Sequence, residues 1–310
     1  MGLEQVGEID LPPHVTAGGF DHAAVHAARN RLYVAHTAND AVDIIDGTTD
    51  RYAGSIPALS GVAGVLVSEE RDLVFTSNRG DDTVAWFSPA QDDRLVRVAV
   101  GSRPNGLAYD PHRSQLLCAN VGDPARVGSW SVSMVDVGQQ SVVAEIPVPG
   151  RTRWAVFDAA SEAFYVNIVD PPQIGVIEAR DPRRLARTIR MPVAGPHGLD
   201  LDPVTGRLFC ACDGHAVVSV EVKSGRLVGQ VSLSGVPDVV FVNSARGHLY
   251  VAIGDPGVIE VFETDPLQHV QTVPTELGAH TLAFDATRHR VYAFLSISHR
   301  AAVYVDSERA

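Results

Sequence analysis

Arg31-Leu32-Tyr33-Val34-Ala35 opens a phrase that recurs six more times along this 310-residue chain. It returns as Leu73-Val74-Phe75-Thr76, Gln115-Leu116-Leu117-Cys118-Ala119, Ala163-Phe164-Tyr165-Val166-Asn167, Arg207-Leu208-Phe209-Cys210-Ala211, His248-Leu249-Tyr250-Val251-Ala252 and Arg290-Val291-Tyr292-Ala293-Phe294. With Tyr33, Phe75, Leu117, Tyr165, Phe209, Tyr250 and Tyr292 as markers, the spacings are 42, 42, 48, 44, 41 and 42 residues. A period in the low forties filled by short β-rich runs belongs to a propeller with four strands per blade. The expected fold is all-β: one seven-bladed β-propeller domain of four-stranded antiparallel blades over residues 1–310.

Blade 1 sets the pattern. Strand A, the innermost, is expected at Ala23 to Ala27, B at Leu32 to His36, C at Ala41 to Asp46 and D at Arg51 to Pro57, with Gly, Asn, Asp and Pro at the breaks. Blade 3 carries a longer B–C loop, Val121 to Trp130, which accounts for its wide spacing. After Ala301-Ala302-Val303-Tyr304-Val305 no strand D follows. Val6-Gly7-Glu8-Ile9-Asp10-Leu11-Pro12 resembles Val143 to Pro149, the strand D of blade 3. Residues 6–12 are therefore expected to complete blade 7 and hide two sheet edges.

Composition narrows the function classes. No run approaches the ~18 apolar residues of a membrane span, and Met1-Gly2-Leu3-Glu4-Gln5 lacks the basic patch and apolar stretch of a secretory signal. The net charge of −12 argues against a nucleic-acid partner, since phosphate neutralisation needs a basic face. Lys223 is the sole lysine and lies in a predicted turn, which argues against Schiff-base chemistry. Cys118, Cys210 and Cys212 form no disulfide framework, so a reducing cytoplasm is the expected compartment. There is no Gly-x-Ser-x-Gly elbow, phosphate-binding loop or dinucleotide glycine fingerprint.

The strand-B phrases, reading Tyr33-Val34-Ala35-His36, Phe75-Thr76-Ser77-Asn78, Tyr165-Val166-Asn167 and Tyr250-Val251-Ala252, resemble the Tyr-Val-Thr-Asn-like strand of the YVTN-type seven-bladed propellers. The similarity runs the length of the chain. It implies the architecture and leaves activity open, because related propellers include lactonases, streptogramin lyases and binding scaffolds.

Propellers place function where strand A begins and strand B ends, around the central channel. Counting back twelve residues from each marker gives Asp21, Ala63, Asn105, Arg153, His197, Asp238 and His280; counting back eleven gives His22, Gly64, Gly106, Trp154, Gly198, Val239 and Thr281. His197, Asp238 and His280 fall on consecutive blades 5, 6 and 7. Two imidazoles and a carboxylate from adjacent strands suit a divalent transition metal (zinc, iron, manganese or copper) with open positions for polarising a carbonyl or activating water. Asp21 or His22 would complete the shell or act as base. On the expected opposite arc, Arg153 and Asn105 would orient a small anionic substrate, Trp154 would form an apolar wall, and Arg300 would reach over the mouth. His36, Asn78, Asn120, Asn167, Cys212, Asp213 and His299 belong to strand-B ends and loops on the same face.

Each of these has a plainer structural role. A polar residue at the head of strand A can bond a neighbouring blade or hold channel water, and Arg153 can pair with Asp21 or Asp238. His26, His112, His248 and His289 fall at A–B turns on the other face, and Asp110-Pro111 and Asp202-Pro203 are turn starters. The leading expectation is a metal-dependent lyase or hydrolase, lactone opening included, acting on a small anion at the channel mouth. A two-His, one-carboxylate set would equally serve a non-haem iron oxygenase. The lactonase-like propellers use Glu, Asn and Asp ligands, whereas this ring offers histidines. The alternatives are a non-catalytic propeller that binds ligands or proteins, and a metal-free sensor using Arg153 and Trp154.

Overall fold

The middle strands read as unbroken apolar runs because both of their faces are covered. Strand B of blade 1, Arg31–His36, is buried at every position after the first, whereas strand D, Arg51–Ile56, is mostly exposed. That gradient is what a blade requires when it is sandwiched between neighbours and only its outer edge meets water.

A computed structural model describes residues 2–307 and arranges them as seven four-stranded antiparallel sheets. Six are consecutive in the chain. They are blade 1 (Phe20–His26, Arg31–His36, Ala41–Asp46, Arg51–Ile56), blade 2 from Val62–Ser68 to Gln91–Ala99, and blade 3 from Pro104–Asp110 to Ser141–Pro147. Blade 4 runs from Thr152–Asp158 to Arg187–Arg190, blade 5 from Pro196–Asp202 to Leu227–Ser232, and blade 6 from Pro237–Asn243 to Leu267–Pro274. Blade 7 combines Thr281–Asp285, Arg290–Leu295 and Arg300–Ser307 with the amino-terminal strand Gly2–Asp10. This strand runs antiparallel to Arg300–Ser307, from Gly2 opposite Ser307 to Asp10 opposite Arg300. It closes the ring as expected, but it starts four residues earlier than the sequence pattern implied and stops before Leu11. The early start has a cause: Leu3 is buried among blade 6 and 7 residues, and the Gln271 side chain bonds both its N–H and its carbonyl.

The marker residues hold the register. In all seven blades the marker pairs across strands A and B with the residue nine positions earlier, as in Ala24 with Tyr33, Asp200 with Phe209 and Ala283 with Tyr292. Tyr33, Phe75, Tyr165, Phe209, Tyr250 and Tyr292 are almost completely buried between blades, each removing ~150–250 Å² from water. At strand-A ends, Asp110 accepts the N–H groups of His112 and Arg113, and Asp202 that of Val204, so these Asp-Pro pairs do start turns. No helix is long and apolar enough to cross a membrane among the described residues.

Candidate functional site at the channel mouth

In blades 1 to 6 the A–B ladder is interrupted near the start of strand A. The register shifts between Phe20 and Ala23, Val62 and Gly64, Pro104 and Leu107, Thr152 and Ala155, Pro196 and Gly198, and Pro237 and Val240. Asp21, His22, Asn105, Arg153, Trp154, His197 and Asp238 all fall in these repeated bulges. A bulge frees a residue from the ladder and re-aims its side chain, so one backbone device delivers the polar ring. Glycines let the blades close up around it. A Cβ on Gly106 would overlap the Arg153 carbonyl oxygen, and one on Gly198 that of Asp238. In blade 7, strand A begins only at Thr281, which leaves His280 just outside the ladder and more exposed than His197.

His197 is the hub. Its Nδ1 lies 2.7 Å from Asp213 Oδ1, and its Nε2 lies 3.1 Å from Asp238 Oδ1 and 3.0 Å from Arg153 Nη1. The two Nε2 contacts exclude each other as ideal hydrogen bonds. A neutral ring accepts from Arg153, whereas an imidazolium donates to Asp238. Burial opposes the charged form, but Asp238 and Asp213 outweigh it and raise the His197 pKa to about 9. Burial pushes the Asp238 carboxyl up, yet His197, His280 and His22 together hold it well below the usual carboxylate range. His280 Nε2 stands 3.9 Å from Asp238 Oδ2, and its Nδ1–H donates to the Gly278 carbonyl. The pocket holding His197, Asp238 and His280 has a volume of about 610 Å³ and is also lined by His215 and Asp255.

Arg153 does not stand across the ring from this group; it lies against it, with Nη2 3.7 Å from Asp213. Around the rim, Arg79 pairs with Asp21 at 3.1 Å and donates to Asn105 Oδ1 at 2.6 Å. Asn105 thus positions an arginine from a buried site. His22 is buried, stacked on the Trp154 ring, and burial lowers its pKa against the pull of Asp21 and Asp238. Arg300 is not at the mouth. It pairs with Glu8 and Asp10 on the closing strand, because its place opposite Asp10 in the sheet directs it there.

Three arginines of the mouth were not singled out by the register. Arg79 follows strand B of blade 2, while Arg103 and Arg151 lie fourteen residues before their markers. Arg151 is brought below the ordinary guanidinium range by burial and by the charges of Arg153, Arg79 and Arg103, with Asp213 opposing. The fourteen-back position was readable: it holds Gly61, Gly195 and Gly278 in blades 2, 5 and 7, at φ of +56°, +69° and +86°. Arg103 occupies the same left-handed conformation at φ +55°.

Other candidates have structural partners. His36 is buried between Asp43 and His14, at 2.7 Å from each. Asn167 donates to the His197 carbonyl, and the Cys210 and Cys212 thiols are free and buried, 3.8 Å apart. His26 bonds Asp72, and His248 bonds the buried Asp306.

The geometry lends the metal reading no support. Among the described residues, no group of three or more His, Cys, Asp or Glu side chains is placed to hold a metal ion. Both nitrogens of His197 already face protein groups, and Asp238 is engaged by one of them. The three residues come together as a charge-paired network.

No family model matches the chain, and no curated protein matches it. Among solved structures, it is similar to Kuenenia stuttgartiensis hydrazine synthase, with a TM-score of 0.82 at 14% identity over 96% of this chain and 97% of that one. It is similar also to a chain of a mitotic checkpoint complex, with a TM-score of 0.82 at 11% identity over 98% of this chain and 92% of the other. At such identities the likeness is one of fold. The chain is a seven-bladed β-propeller.

Proposed function

We propose that the channel mouth binds a small molecule carrying more than one negative charge and that His197 manages its proton. The observation that carries this reading is the arginine cluster. Arg79, Arg103 and Arg153 all lie close enough to Arg151 for their charges to oppose its own, in a protein whose net charge is −12. Like charges gathered at a concave site are relieved by a bound anion, and guanidinium forks suit carboxylates and phosphates. Arg103 strengthens the reading, since a side chain at a glycine position costs backbone energy of about 1 kcal/mol. His197 adds a further cation and a proton donor beside the cluster.

A lyase or hydrolase acting through His197 and Asp238 is the catalytic form of this proposal, and the strand-B phrases support placement among the YVTN-type propellers. A ligand-binding protein without turnover is the second reading, favoured by the protein partners on both His197 nitrogens. The three free thiols suit a reducing compartment.

The test is calorimetric titration and thermal melting with phosphate, oxalate and citrate. Saturable binding by at least one of them is expected, weakening with added salt and falling at least tenfold in Arg151→Gln. A ligand at about a hundred times its Kd would add about 2.7 kcal/mol to stability. Melting temperatures unmoved by every anion would overturn the proposal.

A further inference from the structure

Below the mouth, a second chamber of about 680 Å³ opens on the opposite face. It is within the size range of sites that enclose drug-sized molecules. Its walls are mainly apolar and aromatic, with Tyr109, Trp154, Phe157, Leu199, Val240 and Phe241 among them. Of the seven residues that pair with the markers, Ala24, Leu66, Ala108, Val156, Asp200, Phe241 and Ala283, all but Ala24 and Ala283 line it. Six are apolar. The fifth-blade member is a carboxylate.

Among the described residues Asp200 has no cationic partner. Its Oδ1 accepts the Leu201 N–H at 2.8 Å and its Oδ2 accepts the Val242 N–H at 2.7 Å. Among the described residues no Arg, Lys or His forms an ion pair with it, and the charged neighbour that acts on it is Asp202, of the same sign. Two backbone donors are modest compensation for an ionised carboxylate in an apolar chamber. Burial accordingly raises its pKa to about 7, against the pull of the two N–H groups. Glu69 and Glu70 add negative charge where the chamber opens. Aromatic faces in the wall offer their negative quadrupoles to a cation.

We propose that this lower chamber is a second binding site, for a single organic cation with an apolar body: a protonated amine or quaternary ammonium set against Asp200 and enclosed by Trp154, Phe157 and Phe241. The site shares no cationic residue with the mouth, so either one stands if the other fails. Its ligand is opposite in charge to the mouth's.

The experiment compares phenylbutylammonium with its neutral counterpart phenylbutanol by calorimetric titration of the whole protein at about pH 8, where the amine is cationic. The cation is expected to bind at least tenfold more tightly and to quench tryptophan fluorescence through Trp154. Asp200→Asn, checked for folding by its melting curve, is expected to abolish the preference, and Val156→Trp to weaken both probes by filling the chamber. Equal binding of alcohol and amine would make the chamber a plain apolar cavity and overturn the proposal. So would a preference that survives Asp200→Asn, or a wild-type protein that binds neither probe. The wild-type comparison decides even where a variant does not fold.

Discussion

His22 of blade 1 lies stacked on Trp154 of blade 4, ring centroids 4.0 Å apart and planes 26° from parallel. Both rings line the lower chamber, while Asp21 and Arg153, one residue earlier on each strand, belong to the charged mouth. The stack is therefore the partition between two environments in one channel: arginines and a His–carboxylate network above, an apolar chamber with one carboxylate below. Burial favours the neutral form of His22, which suits a ring pressed on an indole face.

Removing the partition should cost stability and merge the two spaces. Trp154→Ala is expected to lower stability by about 2–4 kcal/mol, while Trp154→Phe, which keeps an aromatic face on His22, should cost under about 1.5 kcal/mol. Denaturant unfolding of the two variants checks this. Similar losses in both would mean that the indole's packing against blade 5, and not its stack on His22, is what matters.

Stability should depend on pH through His197. Its folded-state pKa of about 9 exceeds the ordinary 6.5, so its contribution is complete below pH 6.5 and is lost as pH rises through 9. Asp238 works in the other direction. Its carboxyl is lowered, so its contribution is present above pH 3.8 and fades as pH falls toward the folded value. The gap in unfolding free energy between wild type and His197→Gln should be widest between about pH 4 and 6.5 and shrink by about pH 10. A gap that is constant across that range would show that His197 contributes by packing alone.

The architecture was legible because a period of forty-odd residues carries the register with it. Once the markers were placed, counting back located Asp21, Asn105, Arg153, His197, Asp238 and His280 at the mouth, and His22 just below it, without any contact information. Asp200 was within reach of the same count, nine residues back, as the one charged member of an apolar ring. Arg103 and Arg151 were within reach fourteen back. What the pattern could not supply was direction and pairing. Arg300 looks like a loop residue over the channel, and only the Asp10 partner across the closed sheet turns it toward the outer edge. The metal set lacks support for a related reason: the register brings out two imidazoles and a carboxylate but not that Asp213 and Arg153 already hold His197. The start of the closing strand was likewise set at long range, by Gln271 on Leu3.

Closure of the ring should dominate its stability. Ile9 is 2% exposed and packs with Phe294, Ala301 and Val303, whereas Arg300 pairs with Glu8 and Asp10 at the surface. Ile9→Ala is expected to cost about 2–4 kcal/mol and Arg300→Ala no more than about 1 kcal/mol. Deleting residues 2–10 would bare the Arg300–Ser307 edge and should lower the melting temperature far more than either. A deletion variant that melts like wild type would sink the closure idea.

Arg103 offers the cleanest separation of stability from binding. It holds a left-handed φ of +55° where equivalent positions in three other blades carry a left-handed glycine. Arg103→Gly relieves about 1 kcal/mol of backbone strain and adds a similar entropy cost in the unfolded chain, so the melting temperature should move by no more than about 2 °C. The guanidinium, by contrast, is one of the four that crowd the mouth. Its loss should weaken anion binding at least tenfold and reduce the salt dependence that remains. Melting curves and titrations on the same preparation separate the two effects. Unchanged affinity would assign Arg103 to the surface and leave the left-handed arginine without a function, whereas lost affinity in an equally stable protein would make that conformation part of the site.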